Sequence, residues 1–285
     1  MIPDAVYEWL SDHQHGDVLK TSPVGGGCIN NGSIITTTSG STFFLKANQR
    51  APADMFAREA DGLVALLSVK GAPRLPKPHL YGPDFLLMED LVPHPKQPGY
   101  WTEFGRRLAV LHSHTNPEFG FNNDNYIGST KQPNPWTGDG WEFFAEHRLL
   151  FQARLANQRG LLGVTEVRQV ETLAESLPQL VPSQPASLIH GDLWSGNATT
   201  DSSGYPAIID PAAHYGWAEA ELAMTTLFGS FPHQFYSAYQ EVRPLSQGYE
   251  QRFPIYNLYH LLNHVNLFGA SYLGQTLSIL RRYTN

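Results

Sequence analysis

The sequence is poor in cysteine and in long apolar runs, and each shortage excludes a class of protein. Cys28 is the single cysteine among 285 residues, which excludes an internal disulfide framework and a zinc site built from several cysteines. No apolar run approaches the length of about 18 residues that a membrane-spanning helix needs. Residues 1–4 lack the basic start and apolar core of a signal peptide. We therefore expect a cytoplasmic protein with no membrane partner.

Basic residues are also scarce. Lys and Arg together number 19 against 26 Asp and Glu, so the net charge is −7 and the isoelectric point is about 5.9. Because nucleic-acid binding depends on clustered Lys and Arg that face phosphates, we expect no nucleic-acid partner. What the chain does have is a 41% share of hydrophobic residues, enough for one large domain or two modest lobes.

The first third of the chain alternates short apolar runs with turn residues. The runs at 18–24, 33–37 and 42–46 predict strands of an antiparallel meander. Apolar residues at helical spacing over 53–69 predict a helix packed on this meander, and 86–91 predicts another strand. The sequence therefore predicts an N-lobe with an antiparallel sheet and one helix.

A proline-rich stretch follows the last of these strands, and we place a hinge between two lobes there. Pro93, Pro95 and Pro98 would interrupt a helix or a strand, which gives an N-lobe at 1–92 and a C-lobe at 93–285. We predict that the C-lobe is mainly helical and that the fold class is α+β. Its predicted elements are helices at 101–113, 141–158 and 164–177, several helices between 219 and 283, and strand-like fragments at 187–190 and 207–209.

The strongest chemical signal is the octapeptide HGDLWSGN at 190–197. Asp192 precedes Asn197 by five positions, as in a kinase catalytic loop, and Asp210 follows at the end of an apolar run. Phosphoryl transfer needs a carboxylate that accepts the proton of the attacking hydroxyl and oxygen ligands for Mg²⁺. We therefore predict Asp192 as the general base and Asn197 and Asp210 as metal ligands. A His-x-Asp triplet on its own is common, and a helix-capping Asp192 is the alternative.

Two upstream residues predict a clamp for the phosphates of ATP. Lys46 ends an apolar strand, and Glu59 follows thirteen residues later on the predicted helix. The alternative is a surface lysine and a solvated glutamate without a common role. At the end of the last N-lobe strand we assign Met88, Glu89 and Leu91 to the nucleotide site.

A glycine-rich segment lies between the first two predicted strands, where a kinase keeps the loop that covers the phosphates. Gly25, Gly26 and Gly27 begin it, and Asn30 stands where a kinase has its third glycine. We assign the three glycines to the nucleotide site. Cys28 lies in the same segment, either as an inert thiol or as a site where oxidation disturbs ATP binding.

Together these motifs resemble the fructosamine kinase family, within the protein-kinase-like and aminoglycoside phosphotransferase-like superfamily. The resemblance covers nearly the whole chain. It includes the segments 119–121, 125–128 and 132–134, followed by Trp136 and Trp141. The expected architecture is therefore a protein-kinase-like fold of two lobes.

The resemblance implies ATP-dependent phosphorylation of a sugar hydroxyl on a ketosamine, the rearranged adduct of a sugar with an amine. Phosphorylation would make the adduct unstable, so that it is removed from the amine. The implied cofactors are ATP and Mg²⁺. The acceptor is a small ketosamine or a glycated protein lysine, and the chain is a monomer or a homodimer. Trp194 would border the substrate, joined by His214, Tyr215 and Trp217, although ordinary core packing is the alternative for such aromatic residues.

Three departures from protein kinases matter. Gly191 replaces the arginine that pairs with a phosphorylated activation loop, so we expect a constitutively assembled site. Pro211 and Ala212 replace Phe-Gly after the metal-binding aspartate, which argues against a protein-kinase substrate groove. Glu221 stands where the broader family often has aspartate, and we expect it to brace the catalytic loop.

Other interpretations remain open at this point. His260 and His264 lie four residues apart on a predicted helix and could chelate zinc, but no third ligand is evident, which favours packing. The alternative functions are a related aminoglycoside-type or choline-type kinase and a noncatalytic nucleotide-binding protein of the same fold.

Overall fold

The structure is a computed structural model that describes residues 2–25 and 31–284. Its N-terminal elements are α1 (Asp4–Asp12), β1 (Val18–Val24), β2 (Asn31–Thr37), β3 (Thr42–Ala47), α2 (Met55–Leu67), β4 (Pro78–Tyr81) and β5 (Phe85–Glu89). The strands form one antiparallel five-stranded sheet in the order β1-β2-β3-β5-β4. The predicted antiparallel sheet and the helix that packs on it are confirmed.

The alternation of side chains along β3 determines on which face of the sheet Lys46 lies. Phe43 and Leu45 face α1, where they join a small core with Val6 and Leu10. Because successive strand residues point to opposite faces, Lys46 lies on the other face, toward α2. The strand pattern therefore aims this lysine at the interior of the molecule.

Beyond the sheet the chain is mainly helical, as predicted. Its elements are α3 (Tyr100–His112), β6 (Thr115–Asn116), β7 (Asn125–Ile127), β8 (Thr130–Gln132), α4 (Gly140–Phe144), α5 (Phe151–Gln158), α6 (Val164–Leu180), β9 (Ala186–Ile189), β10 (Ala198–Thr200), β11 (Pro206–Ile208), β12 (His214–Gly216), α7 (Ala218–Leu227), α8 (His233–Val242), α9 (Tyr249–Phe268) and α10 (Leu273–Thr284). The short strands pair as β10 with β11, as β12-β9-β6, and as β7 with β8. They flank the segment 190–197 and present it between two small sheets.

The larger hydrophobic core is continuous between the α2 face of the sheet and the helices that follow. Phe56 and Leu63 of α2, Leu86 of β5 and Phe104 and Leu108 of α3 are fully buried in it. Burial of one such side chain contributes about 1.5–3 kcal/mol. Packing therefore fixes α2 relative to the catalytic segment.

Three local features differ from the sequence-based expectation. The predicted helix at 141–158 is interrupted by a π-helix over Ala145–Leu150, and α1 was not predicted. No strand was predicted between the helix at 53–69 and the strand at 86–91, yet β4 begins at Pro78. Because β4 is an edge strand that pairs with β5 alone, a missing N–H there costs no bond to a second neighbour.

The segment 90–99 has no helix or strand and joins β5 to α3. The hinge that we placed at its prolines stays a prediction, as do the lobe boundaries at 1–92 and 93–285. None of the helices described over 2–25 and 31–284 is long and apolar enough to cross a membrane.

Candidate active site

Lys46 contacts both carboxylates that the sequence places near it. Its Nζ lies 2.6 Å from Oε1 of Glu59 and 2.8 Å from Oδ1 of Asp210, and its side chain is 8% exposed. Burial alone would lower the pKa of Lys46, but the charges of Asp210 and Glu59 outweigh burial and raise it. Lys46 is therefore a buried cation, and the surface-lysine alternative is wrong.

A hairpin brings Asn197 and Asp210 together. Asn197 precedes β10 and Asp210 follows β11, and the backbone N–H of Ile209 donates to the carbonyl of Asn197 over 3.1 Å. Asp210 has a left-handed φ of 59°, a conformation that aspartate adopts more readily than most residues. Its Oδ1 makes the contact with Lys46, and its side chain is 44% exposed, so part of the carboxylate is accessible to a ligand.

The catalytic loop is closed by the side chain of Asn197. Its amide Nδ2 donates to the backbone carbonyl of Asp192 over 2.8 Å and lies 3.4 Å from Oδ2 of Asp192. Burial, then the charges of Asp210 and Glu221, raise the pKa of Asp192 to about 7. A carboxyl with a pKa near neutrality suits proton transfer at physiological pH.

Glu221 supports the catalytic loop through hydrogen bonds to its backbone. Its Oε1 accepts the backbone N–H of Gly191 over 2.6 Å, and its Oε2 accepts the N–H of His190 over 2.9 Å. His112 donates from Nε2 to the same Oε2 over 2.8 Å, and the Tyr239 hydroxyl donates to Nδ1 of His112 over 2.8 Å. The longer side chain of glutamate thus reaches two backbone donors at once.

The charge states in this buried network follow from competing effects. Burial alone would raise the pKa of Glu221, but the hydrogen bond and charge of His112 outweigh it and lower the pKa. Burial lowers the pKa of His112 more than Glu221 raises it. The pair is therefore an ionised carboxylate and a neutral imidazole at neutral pH.

Position 191 has no room for a side chain, so only glycine fits there. Its φ is +85°, and a Cβ at this position would lie 2.2 Å from the carbonyl oxygen of Ala212. Its neighbour His190 donates from Nε2 to the carbonyl of Ile209 over 2.8 Å, so the loop is also tied to the segment that ends in Asp210. No arginine fits where protein kinases have one.

The other nucleotide-site candidates lie at or just beyond the ends of β5 and β1. Met88 and Leu91 are buried, and Glu89 forms two hydrogen bonds with Nη2 of Arg74 at 2.5 and 2.6 Å. Arg74 therefore occupies the Glu89 carboxylate, and a nucleotide contact at this residue stays a prediction. Gly25 is exposed at the end of β1, whereas Gly26, Gly27 and Cys28 lie outside the described residues.

The four substrate candidates divide into two groups. Trp194 is half-buried beside the catalytic loop, and Tyr215 is half-buried on β12 with its ring 5.9 Å from that of Trp136. His214 and Trp217 are 5% and 4% exposed and pack against Phe143 and Phe144 in the core. Both are therefore nearly buried side chains, and their role at the substrate stays a prediction.

The two histidines on α9 serve the helix and its packing. Nδ1 of His264 donates to the backbone carbonyl of His260 over 2.8 Å, and His260 is 5% exposed. Throughout the part of the chain that the structure describes, no three His, Cys, Asp or Glu side chains are grouped so that they could hold a metal ion.

Sequence reasoning missed His112 and Tyr239. His112 lies 109 residues before Glu221, and no local pattern marks it as a partner. It also missed the contact between the catalytic loop and the end of α7, where Oγ of Ser195 donates to the carbonyl of Phe228 over 2.8 Å.

The sheet, the lysine clamp and the catalytic loop define the class of protein as a kinase of the protein-kinase-like fold. An ADP-bound aminoglycoside phosphotransferase structure shares this fold with a TM-score of 0.65 at 11% identity, covering 99% of this chain and 98% of the other. At that identity the likeness concerns the fold alone.

Stronger similarities define the family. The profile of the fructosamine kinase family matches residues 3–285. A chloroplastic protein-ribulosamine 3-kinase of Arabidopsis thaliana is 40% identical over 295 residues, covering 99% of this chain and 88% of that protein. A crystal structure of a candidate fructosamine-3-kinase from Thermobifida fusca has a TM-score of 0.88 at 34% identity and covers 98% of both chains. This chain belongs to the fructosamine kinase family.

Proposed function

We propose that this protein uses ATP to phosphorylate a sugar hydroxyl of ketosamines, with Asp192 as the general base. One observation supports this above the others. Lys46, from β3, lies 2.8 Å from Asp210, and Asp210 follows the hairpin that also positions Asn197 beside Asp192. Side chains distant in sequence thus converge on one cleft with the chemistry that phosphoryl transfer requires.

Asp192 is suited to receive the proton of the attacking hydroxyl. The hydrogen bond from Asn197 to its backbone carbonyl holds the loop, and the Glu221 carboxylate fixes the two preceding amides. The pKa of Asp192, raised to about 7, keeps its affinity for a proton high enough for general-base catalysis. These contacts orient the carboxylate before substrate arrives, which lowers the cost of reaching the reactive geometry.

The donor atoms fit Mg²⁺. The amide nitrogen of Asn197 is used on Asp192, which leaves its Oδ1 as a ligand, and the Asp210 carboxylate is 44% exposed beside Lys46. A carboxylate and an amide oxygen are hard ligands of the kind that Mg²⁺ prefers. When bound there, Mg²⁺ would neutralise charge on the ATP phosphates.

The acceptor class rests on the family. The Arabidopsis relative carries the name of a protein-ribulosamine 3-kinase, and we assign the same chemistry to this chain. The proposed acceptor is either a free ketosamine or a glycated protein lysine. A cytoplasmic location and a monomeric or homodimeric state remain predictions.

The test is ATP consumption with a panel of ribulosamines, erythrulosamines and fructosamines, with the phosphorylated carbon located by NMR. We expect turnover with at least one of them and phosphate on the third carbon of the sugar. Turnover restricted to an aminoglycoside or to choline would move the protein to a related kinase class. Nucleotide binding without phosphorylation of any acceptor would favour a noncatalytic protein.

A further inference from the structure

A group of five ring side chains, which we call the aromatic wall, continues outward from the catalytic loop. Its members are Trp194, Phe228, His264, Phe268 and Tyr272. The ring of Phe228 lies 6.0 Å from that of Trp194 and 4.6 Å from that of His264. His264 lies 5.4 Å from Phe268 and 4.8 Å from Tyr272. The wall joins the loop, the end of α7, the end of α9 and the turn before α10.

The wall is attached to the loop that carries the base. Trp194 is two residues from Asp192, and the next residue, Ser195, donates from Oγ to the carbonyl of Phe228. A Cβ on Gly196 would lie 2.3 Å from the indole of Trp194, so the glycine allows the indole to lie against the loop. The wall therefore begins at the place where the acceptor hydroxyl must sit.

The exposure of the wall distinguishes it from ordinary core. Phe268 is 47% exposed and the other four rings are half-buried. The aromatic group around Trp217, by contrast, is closed off by core packing on its sides. A row of partly exposed rings that starts beside a catalytic base has the form of a ligand-binding surface.

His264 adds one hydrogen-bond acceptor to this surface. Because Nδ1 donates to the carbonyl of His260, the proton of the neutral ring is on Nδ1 and Nε2 is an acceptor. Burial lowers the pKa of His264, more than the bond to His260 raises it, so the ring is neutral at neutral pH and does not repel a cation.

We propose that the aromatic wall binds the amine-bearing arm of the acceptor, a secondary ammonium with the aliphatic chain of a glycated lysine side chain. This rests on the proposed function. In a ketosamine the nitrogen is attached to the first carbon of the sugar, so it lies a few bonds from a reacting hydroxyl on the third. Aromatic faces attract cations, and their exposed area covers the methylene groups of the chain. The site thereby selects for the arm as well as for the sugar.

The test compares two ribulosamines that share the sugar and differ in the arm, one on the Nε of a lysine in a short peptide and one on methylamine. We expect kcat/KM to be higher for the lysine adduct. In Phe268→Ala this preference should shrink by roughly tenfold, because the ring no longer covers the methylene groups of the lysine side chain, which the methylamine adduct lacks. Phe268→Leu keeps apolar area without the ring and should lie between the two.

Tyr205→Ala is the matched control. Tyr205 is 46% exposed, close to the 47% of Phe268, and its ring, which is not part of the aromatic wall, lies 5.7 Å from the Arg107 guanidinium. The control should leave the preference between the two adducts unchanged. Melting temperatures of all variants show whether a loss of activity reflects unfolding.

The outcomes separate the two proposals. Equal kcat/KM for both adducts in the unsubstituted protein, or a preference that Phe268→Ala leaves intact, would overturn the role of the aromatic wall. Failure to phosphorylate either adduct would instead count against the proposed function. Replacement of the amine nitrogen by an ether oxygen should lower kcat/KM for both adducts, because aromatic faces attract the ammonium and not the ether, and an unchanged kcat/KM would contradict binding of the cation by the wall.

Discussion

The two sides of the cleft hold their reactive groups by different means. On the sheet side, Lys46 is held by charge, between the carboxylates of Glu59 and Asp210. On the helical side, Asp192 is held by its backbone, since Glu221 and His112 fix the preceding amides through a buried hydrogen-bond network.

This difference reflects what each side must do. A cation that faces phosphates needs its charge maintained in a buried place, and two carboxylates supply that at Lys46. A base needs orientation together with a pKa near neutrality, and a nearby salt bridge would lower the pKa of Asp192. The network therefore orients Asp192 through the loop backbone, and the charge of Glu221 adds to burial in raising the pKa of Asp192 to about 7.

The largest effect should come from Asp192→Ala. We expect kcat to fall by about 10²–10⁴, the usual contribution of a general base. Nucleotide affinity and melting temperature should remain near their original values, because the substitution removes no ligand of the phosphates. Single-turnover phosphorylation and calorimetric nucleotide binding check this, and near-normal turnover would refute the assignment of the base.

Lys46→Met tests the side held by charge. Removing the cation leaves the buried Glu59 carboxylate unpaired beside the partly exposed Asp210, which should cost about 3 kcal/mol of unfolding free energy. Nucleotide affinity should also fall. Adding Glu59→Gln to this variant should recover part of the stability without recovering affinity. Urea unfolding of the single and double variants measures it, and no recovery in the double variant would contradict the charge-based account.

Glu221→Gln tests the side held by hydrogen bonds. Glutamine keeps the size of the side chain but offers one acceptor oxygen to donors from His190, Gly191 and His112. The donors left unsatisfied should cost about 1–3 kcal/mol of unfolding free energy. We expect a lower kcat with nucleotide affinity retained, and equal losses of both would show that the network supports the whole cleft instead of the loop.

The same substitution has a pH signature. The pKa of Glu221 is lowered in the folded state, so its stabilising contribution is fully present above the unfolded value of about 4.5 and is lost as pH falls through the lowered pKa. The difference in unfolding free energy between the original protein and Glu221→Gln should therefore shrink below pH 4.5. A difference that grows toward acid pH would have the wrong sign for this account.

The smallest expected effect comes from the contact between α2 and the segment that follows Asp210. A Cβ on Gly62 of α2 would lie 3.2 Å from the Cβ of Ala213, three residues after Asp210. Gly62→Ala gains up to about 1 kcal/mol of helix propensity but displaces α2, which carries Glu59. We expect a higher KM for ATP without loss of melting temperature, reversed by Ala213→Gly. Failure of the second substitution to restore KM would show that the contact does not set the position of α2.

Much of this architecture could be predicted because the informative residues are neighbours in sequence. The loop at 190–197 and the strand that ends in Lys46 follow local spacing rules, and the antiparallel sheet follows from alternation and turns. The near-complete burial of His214 and Trp217 could not be predicted, because an aromatic residue near a motif has the same sequence signature whether it is exposed or buried.

The sequence by itself determined the fold class, the family resemblance and the identities of Lys46, Asp192, Asn197 and Asp210, because backbone periodicity and short motifs are local properties. Only the tertiary structure decided that His112 completes the support of the loop through Glu221, that Gly191 has no room for a side chain, and that aromatic rings continue outward from the base. These features depend on contacts between segments up to 127 residues apart, as between His112 and Tyr239, and long-range packing leaves no periodic trace in the chain.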